Sequence, residues 1–214
     1  MDVAGSGKVS EVENLHPVEV RVLGCLVEKD MATPEYYPLT LNSLQNACNQ
    51  KSSREPVVNY DESTVAEGLE LLKNKGFVLR ISGAGHRVEK FAHRLGEKLN
   101  LGRRELALLC LLMLRGPQTV GELRGRSERM HPFADLEEVE RVLESLETRD
   151  PDPLVARASR GRWAHLLSGA LELSAEAAET EAAPRSPLES RVEALERELE
   201  ELKSRFAEFR KQFE

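Results

Sequence analysis

The residues of this chain whose types and spacing suit a chemical task are basic ones, and they fall in three places. Lys51 and Arg54 lie in a polar loop. Arg80, Arg87, Lys90 and Arg94 surround a lone acid, Glu89, with His86 and His93 beside them. Arg157, Arg160 and Arg162 follow one another with no acid between them. Cations placed this way neutralise phosphates along a nucleic-acid backbone, and the binding they produce weakens as salt rises. Ser63 and Thr64 open a helix with short polar groups able to reach base edges. The DNA-contact candidates are therefore Lys51, Arg54, Ser63, Thr64, Arg80, Arg87, Lys90, Arg160 and Arg162. The competing reading is a solvated basic surface.

Other chemistry finds little footing. There is no Gly-rich phosphate loop, paired Cys/His set or serine elbow, so no catalytic residue, enzyme activity or cofactor is expected. Cys25, Cys48 and Cys110 are odd in number and lack metal-ligand spacing. They read as small buried hydrophobes, and no metal is expected.

These basic groups are positioned by a pattern that occurs twice. Leu23-Gly24-Cys25-Leu26, Leu39-Thr40-Leu41, the Val65/Leu69/Leu72 stripe and Gly76-Phe77-Val78 form the first copy. Leu108-Leu109-Cys110-Leu111, Gln118-Thr119-Val120, the Val139/Leu143/Leu146 stripe and Leu154-Val155 form the second. The offset falls from 85 to 79 to 74, so the second copy is shorter between its periodic segments, where loops tolerate deletion. Three helices followed by two short strands is the order of a winged helix-turn-helix. The expected fold is mainly α with small β-hairpins (α+β), as tandem winged helix-turn-helix domains plus a C-terminal coiled-coil helix.

Local signals set the boundaries. A first helix starts near Pro17, a favoured first-turn position, and Met31–Pro38 reads as a shaped loop. Thr40 and Asp61 suit N-caps, and Gly76 suits a helix end that needs positive φ. Phe77–Ile81 and Arg87–Phe91 alternate as strands around a Ser82–His86 turn. Thr119/Glu122 and Asp135/Glu138 have capping-box spacing. Arg103–Leu114 is apolar on most faces, which places it at an interface between domains or subunits. The third helices are acidic (Asp61, Glu62, Glu67 and Glu70 in one; Glu137, Glu138, Glu140 and Glu144 in the other), and a duplex repels carboxylates. The second copy is therefore expected not to read DNA through its third helix. The polar cluster Asn42–Arg54 either contacts nucleic acid or pins its own loop through side-chain-to-backbone bonds; pinning is favoured.

The expected division is a flexible N-terminus (1–14), domain 1 (15–95), domain 2 (96–170), a Pro-punctuated linker (171–187) and a coiled-coil helix (188–214). In that helix Leu188, Val192, Leu195, Leu199, Leu202, Phe206, Phe209 and Phe213 alternate spacings of four and three, the seam of a homodimeric coiled coil. The rival is an amphipathic helix folded back on its own chain. Net charge is −7, yet residues 170–214 carry 12 acidic and 7 basic groups. The two repeats are thus close to neutral and compatible with nucleic acid. No apolar run is long enough for a membrane span and no secretory leader is visible, so a cytoplasmic protein without membrane partners is expected.

The strings Arg21–Lys29 and Thr33-Pro34-Glu35-Tyr36-Tyr37-Pro38 through Pro56, with His131-Pro132-Phe133 and Ala164–Ser168, closely resemble the bacterial YceH-like family. The resemblance covers residues 15–169 together with the tail. It implies tandem winged-helix domains and a bacterial source, but no activity. The second wing, Ala156–Trp163, looks shorter than the family's. The functional expectation is a DNA-binding, transcription-associated protein in which the first domain makes most contacts. The alternative is a protein-protein interaction scaffold that has reused its acidic helix faces.

Overall fold

The computed structural model describes residues 14–82 and 88–169. Among the described residues, eleven regular elements follow one another: α1 (Pro17–Ala32), α2 (Leu41–Cys48), α3 (Glu62–Asn74), β1 (Val78–Ile81), β2 (Lys90–His93), α4 (Leu95–Lys98), α5 (Arg103–Arg115), α6 (Val120–Ser127), α7 (Leu136–Glu147), β3 (Val155–Arg157) and β4 (Trp163–His165). The protein is mainly helical with two small antiparallel sheets, β1–β2 and β3–β4. Residues 1–13 of the expected flexible N-terminus (1–14), Arg87 and most of its turn, the linker and the heptad residues from Leu188 to Phe213 lie outside the described residues.

Caps explain where the helices begin. Thr40 accepts from the Ser43 amide at 3.2 Å, and Asp61 from the Thr64 amide at 2.8 Å. Thr119 and Glu122 form the reciprocal box, each side chain accepting from the other's backbone. Asp135 departs from that pattern. It accepts from the Glu138 amide, but Glu138 reaches past it to the Ala134 amide at 2.9 Å. Gly76 ends the α3 segment at φ 74°, where a side chain would be strained.

Each half closes in the same manner. A backbone pair of hydrogen bonds ties Leu39 to Phe91 (3.2 and 2.7 Å), and its counterpart ties Gln118 to Trp163 (3.0 and 2.7 Å). These single-residue bridges add a third short pairing to each hairpin. Two boundaries and one element differ from expectation. The second strand runs over Lys90–His93 because Val78 pairs with His93 and Ile81 with Lys90. The stretch after Met31 is not all loop, since α1 continues to Ala32 and a 3-10 turn covers Pro34–Tyr36. The short helix α4, between the halves, has no counterpart in the repeat.

The two halves share a continuous core. Helix α5 is buried from Ala107 to Leu114 and packs on α1, so its apolar faces are explained within the chain. Gly24 permits the crossing: a Cβ there would lie 2.9 Å from the Leu114 side chain and 3.3 Å from that of Met113. The Cys110 thiol meets the Gly24 carbonyl at 3.4 Å, while Cys25 and Cys48 are also buried. Backbone bonds from Leu15 to Leu167 (2.7 Å) and from Glu55 to Leu114 (2.8 Å) reinforce the junction.

His165, on β4, supplies a pH-dependent element of stability. Burial lowers its pKa to about 4, below the value of about 6.5 expected when unfolded. The folded state therefore favours the neutral ring. Its contribution is complete above pH 6.5 and is lost as pH falls toward 4, by about 2–3 kcal/mol. Urea unfolding across that range should show this loss, and His165→Gln should flatten most of it.

Candidate nucleic-acid interface

A cleft of about 500 Å³ opens where the ends of three helices meet the loop after α2. Lys29 and Arg115 sit in the last turns of α1 and α5, and Arg126 in the last turn of α6. Lys51 comes from the loop and Arg129 from just beyond α6. Among the described residues, Glu28 is the only carboxylate on the lining. Part of this charge answers the negative ends of the helices, each equivalent to about −0.5 elementary charge. Three helix ends do not balance five cations.

The carboxylate on this wall is already engaged. Glu28 is gripped by both ends of the Arg54 guanidinium, at 3.0 and 2.6 Å, and touches Lys29 at 3.2 Å. Burial acts to raise the Glu28 carboxyl, and the Arg54 bonds overcome it, holding the group below its ordinary value. Burial and the neighbouring Arg126 and Arg54 charges push the Arg115 guanidinium below its usual value. Burial is the larger cause, and the neighbouring cations add to it. Arg115 bonds the Ser53 hydroxyl at 2.6 Å. Arg126 bonds Gln118 at 2.7 Å and lies 3.3 Å from Glu122. Lys51 and Arg129 are exposed and make no ion pair with any described residue.

Of the described residues expected from sequence to contact DNA, only Lys51 lines this cleft. Arg54 is 4% exposed and donates inward to Ala47, Ser53, Gln50 and Glu28. It holds the loop in place and is not presented to a phosphate. The amides beside it act likewise: Asn49 clamps both backbone groups of Tyr60, at 2.8 and 2.7 Å, and Gln45 donates to the same carbonyl. Ser63 is exposed and Thr64 half-buried at the start of α3. Arg80 pairs with Glu89 at 3.3 Å, and Lys90 is half-buried on β2. Neither lines the cleft.

The second hairpin corrects the sequence reading more strongly, because its arginines are opposed after all. Arg157 lies 3.5 Å from Glu144 and 3.8 Å from Glu147 and stacks over Trp163. Arg162 bonds Glu122 at 2.8 Å and the Pro117 carbonyl at 3.0 Å. Arg160 occupies the tip at φ 57° and is also engaged. The acids of α6 and α7 thus neutralise Arg157 and Arg162. Sequence reasoning missed Lys29, Arg115, Arg126 and Arg129. Each is a last-turn or post-helix cation, an ordinary position that gives no sign of convergence.

Among the described residues, no group of three or more His, Cys, Asp or Glu side chains is arranged to hold a metal, and no helix is long and apolar enough to cross a membrane.

Fold and site together define a mainly helical protein built on a repeated helix–hairpin unit, with a cationic cleft at the junction of the two repeats. A family described as "Protein of unknown function, DUF480" matches residues 15–163, and the chain belongs to that bacterial family. It is similar to the "UPF0502 protein" of Solibacter usitatus, 52% identical over 203 residues, covering 94% of this chain and 98% of that one. It also resembles the protein of the same name from Citrifermentans bemidjiense (53% over 190 residues; 86% and 88% covered). A third similar protein of that name comes from Geotalea uraniireducens (56% over 167 residues; 75% of each).

Proposed function

We propose that this protein is a cytoplasmic, DNA-binding, transcription-associated protein built from tandem winged-helix domains, and that it holds duplex DNA by its backbone at the cleft between them. The observation that carries this reading is the convergence of Lys29, Lys51, Arg115, Arg126 and Arg129 from four segments onto one concave surface. Support for winged helices comes from the doubled order of three helices and a hairpin, each tied by a backbone bridge. The YceH-like resemblance points to the same domains.

Phosphate contacts dominate such a mode, and base reading is minor. The exposed acids of α3 (Glu62, Glu67, Glu70) and of α7 (Glu137, Glu140, Glu144) would repel a duplex pushed against those helices. Those same acidic faces favour the second reading, an interaction scaffold whose partner is a protein. Dimerisation through residues 188–214 belongs to either proposal.

Fluorescence anisotropy with a mixed-sequence duplex tests the first reading. Binding is expected at micromolar protein near 50 mM salt, with a log–log salt slope of about −4.5 if all five cations engage phosphates. A flat titration under those conditions rejects it. A stoichiometric protein partner that survives nuclease treatment would then favour the scaffold.

A further inference from the structure

On another side of the junction lies a smaller cavity of about 220 Å³, between α1, the 55–60 loop, α5 and the end of β4. Arg21 lines it and is 4% exposed. One guanidinium nitrogen, Nη2, donates to the Pro56 carbonyl at 2.6 Å. The other, Nη1, is buried with no partner, and no described carboxylate lies within ion-pair distance. A cation removed from water without a counter-charge is strongly unfavourable, so a buried guanidinium with one nitrogen unmatched, lining a cavity, calls for an anion.

The other walls narrow the chemistry. His165 also lines the cavity, and its buried Nδ1 has no partner; the ring is neutral at pH 7 because burial lowers its pKa to about 4. Tyr60 lines it too, with its backbone held by Asn49 and Gln45. Burial raises the Tyr60 phenol above its ordinary value, so it remains a neutral donor. The remaining surface includes Val20, Leu112 and Met113. One acid, Glu55, is present but exposed. A single buried positive charge, three neutral polar side chains (Tyr60, His165 and Ser168) and apolar walls suit a monoanion with a small apolar body. They do not suit a phosphate, whose greater charge and hydration ask for several cations. The volume falls below the usual range of about 300–1,000 Å³ for small-molecule sites, which sets a ceiling on size.

We infer that this cavity binds a small organic carboxylate, with its carboxylate on Arg21 Nη1 and its apolar body against Val20, Leu112 and Met113. The site lies apart from the cationic cleft and does not depend on nucleic-acid binding.

Calorimetric titration of the full chain, without nucleic acid, with sodium acetate, isobutyrate and benzoate tests the inference. The neutral amides isobutyramide and benzamide serve as controls. At least one carboxylate is expected to bind saturably in the millimolar range or tighter, and its amide at least tenfold more weakly. Arg21→Gln should abolish the binding. If that variant does not fold, Tyr60→Phe decides, with an expected tenfold loss of affinity at unchanged Tm. Silence from all three carboxylates overturns the inference, as does equal binding of the amides. So does unchanged affinity in a folded Arg21→Gln protein or, failing that, in Tyr60→Phe. Because no nucleic acid is present, none of these outcomes bears on the cleft.

Discussion

Replacing Arg54 by alanine should destabilise the protein by about 3–5 kcal/mol, the cost of breaking a buried ion pair from one side. Arg54 sits at the centre of the loop after α2. Two bonds hold the Glu28 carboxylate, and three others satisfy Gln50 and the Ala47 and Ser53 carbonyls. Removing the guanidinium takes all five bonds away and leaves Glu28 half-buried with only Lys29 beside it. An exposed phosphate-binding residue would behave differently, since its removal changes stability by no more than about 0.5 kcal/mol. Chemical denaturation distinguishes the two. The double variant Glu28→Leu/Arg54→Met should recover much of the stability, because the uncompensated charge is then gone. If Arg54→Ala keeps the parent midpoint, Arg54 does not hold this loop.

The second large effect concerns the cleft. Converting Lys51, Arg115 and Arg129 together to glutamine removes three of its five cations while keeping polar side chains of similar reach. Under the proposed binding mode the salt slope should fall by about 0.9 for each phosphate no longer neutralised, about 2.7 in all. Affinities of parent and variant should converge near 1 M salt and differ by about 10³-fold near 50 mM, as the same slope requires. Stability should hardly change. Lys51 and Arg129 form no described ion pair, and Arg115 bonds only the Ser53 hydroxyl among the described residues. Equal affinity at low salt would place the DNA surface elsewhere or remove it. Arg157→Gln and Arg162→Gln are the natural comparison. Their charges are already met by Glu144, Glu147 and Glu122, so the proposed mode gives them a much smaller effect on the slope.

Much of the architecture was legible because it is local. Thr40, Asp61 and Thr119 mark helix starts by accepting amides three residues on, and Gly76 marks a turn that a side chain would strain. The equivalent stripes Val65/Leu69/Leu72 and Val139/Leu143/Leu146 are all buried, as helical periodicity required. The errors of boundary have the same local origin. The start of β2 follows from pairing with β1 across the turn, and its own alternation does not fix it. Glu138 accepts from the Ala134 amide, one residue before the one the capping-box spacing points to.

The candidate site was far less legible. Sequence by itself determined the repeat, the order of its elements, the caps, and the acidic character of the third helices. It also identified which residues carry charge. Only the tertiary structure decided what each charge faces. Arg54 turned inward to Glu28, Arg162 found Glu122 on α6, and Arg21 was left in a cavity with one nitrogen unmatched. Lys29, Arg115, Arg126 and Arg129, unremarkable in the chain, came together because α1, α5 and α6 end at the same place. The physical reason is range. Caps and periodicity act within a turn or two of the backbone, whereas ion pairing and desolvation depend on neighbours brought close only by the packing of α1 against α5. Gly24, which permits that close approach, is visible in the sequence, but what it admits is not.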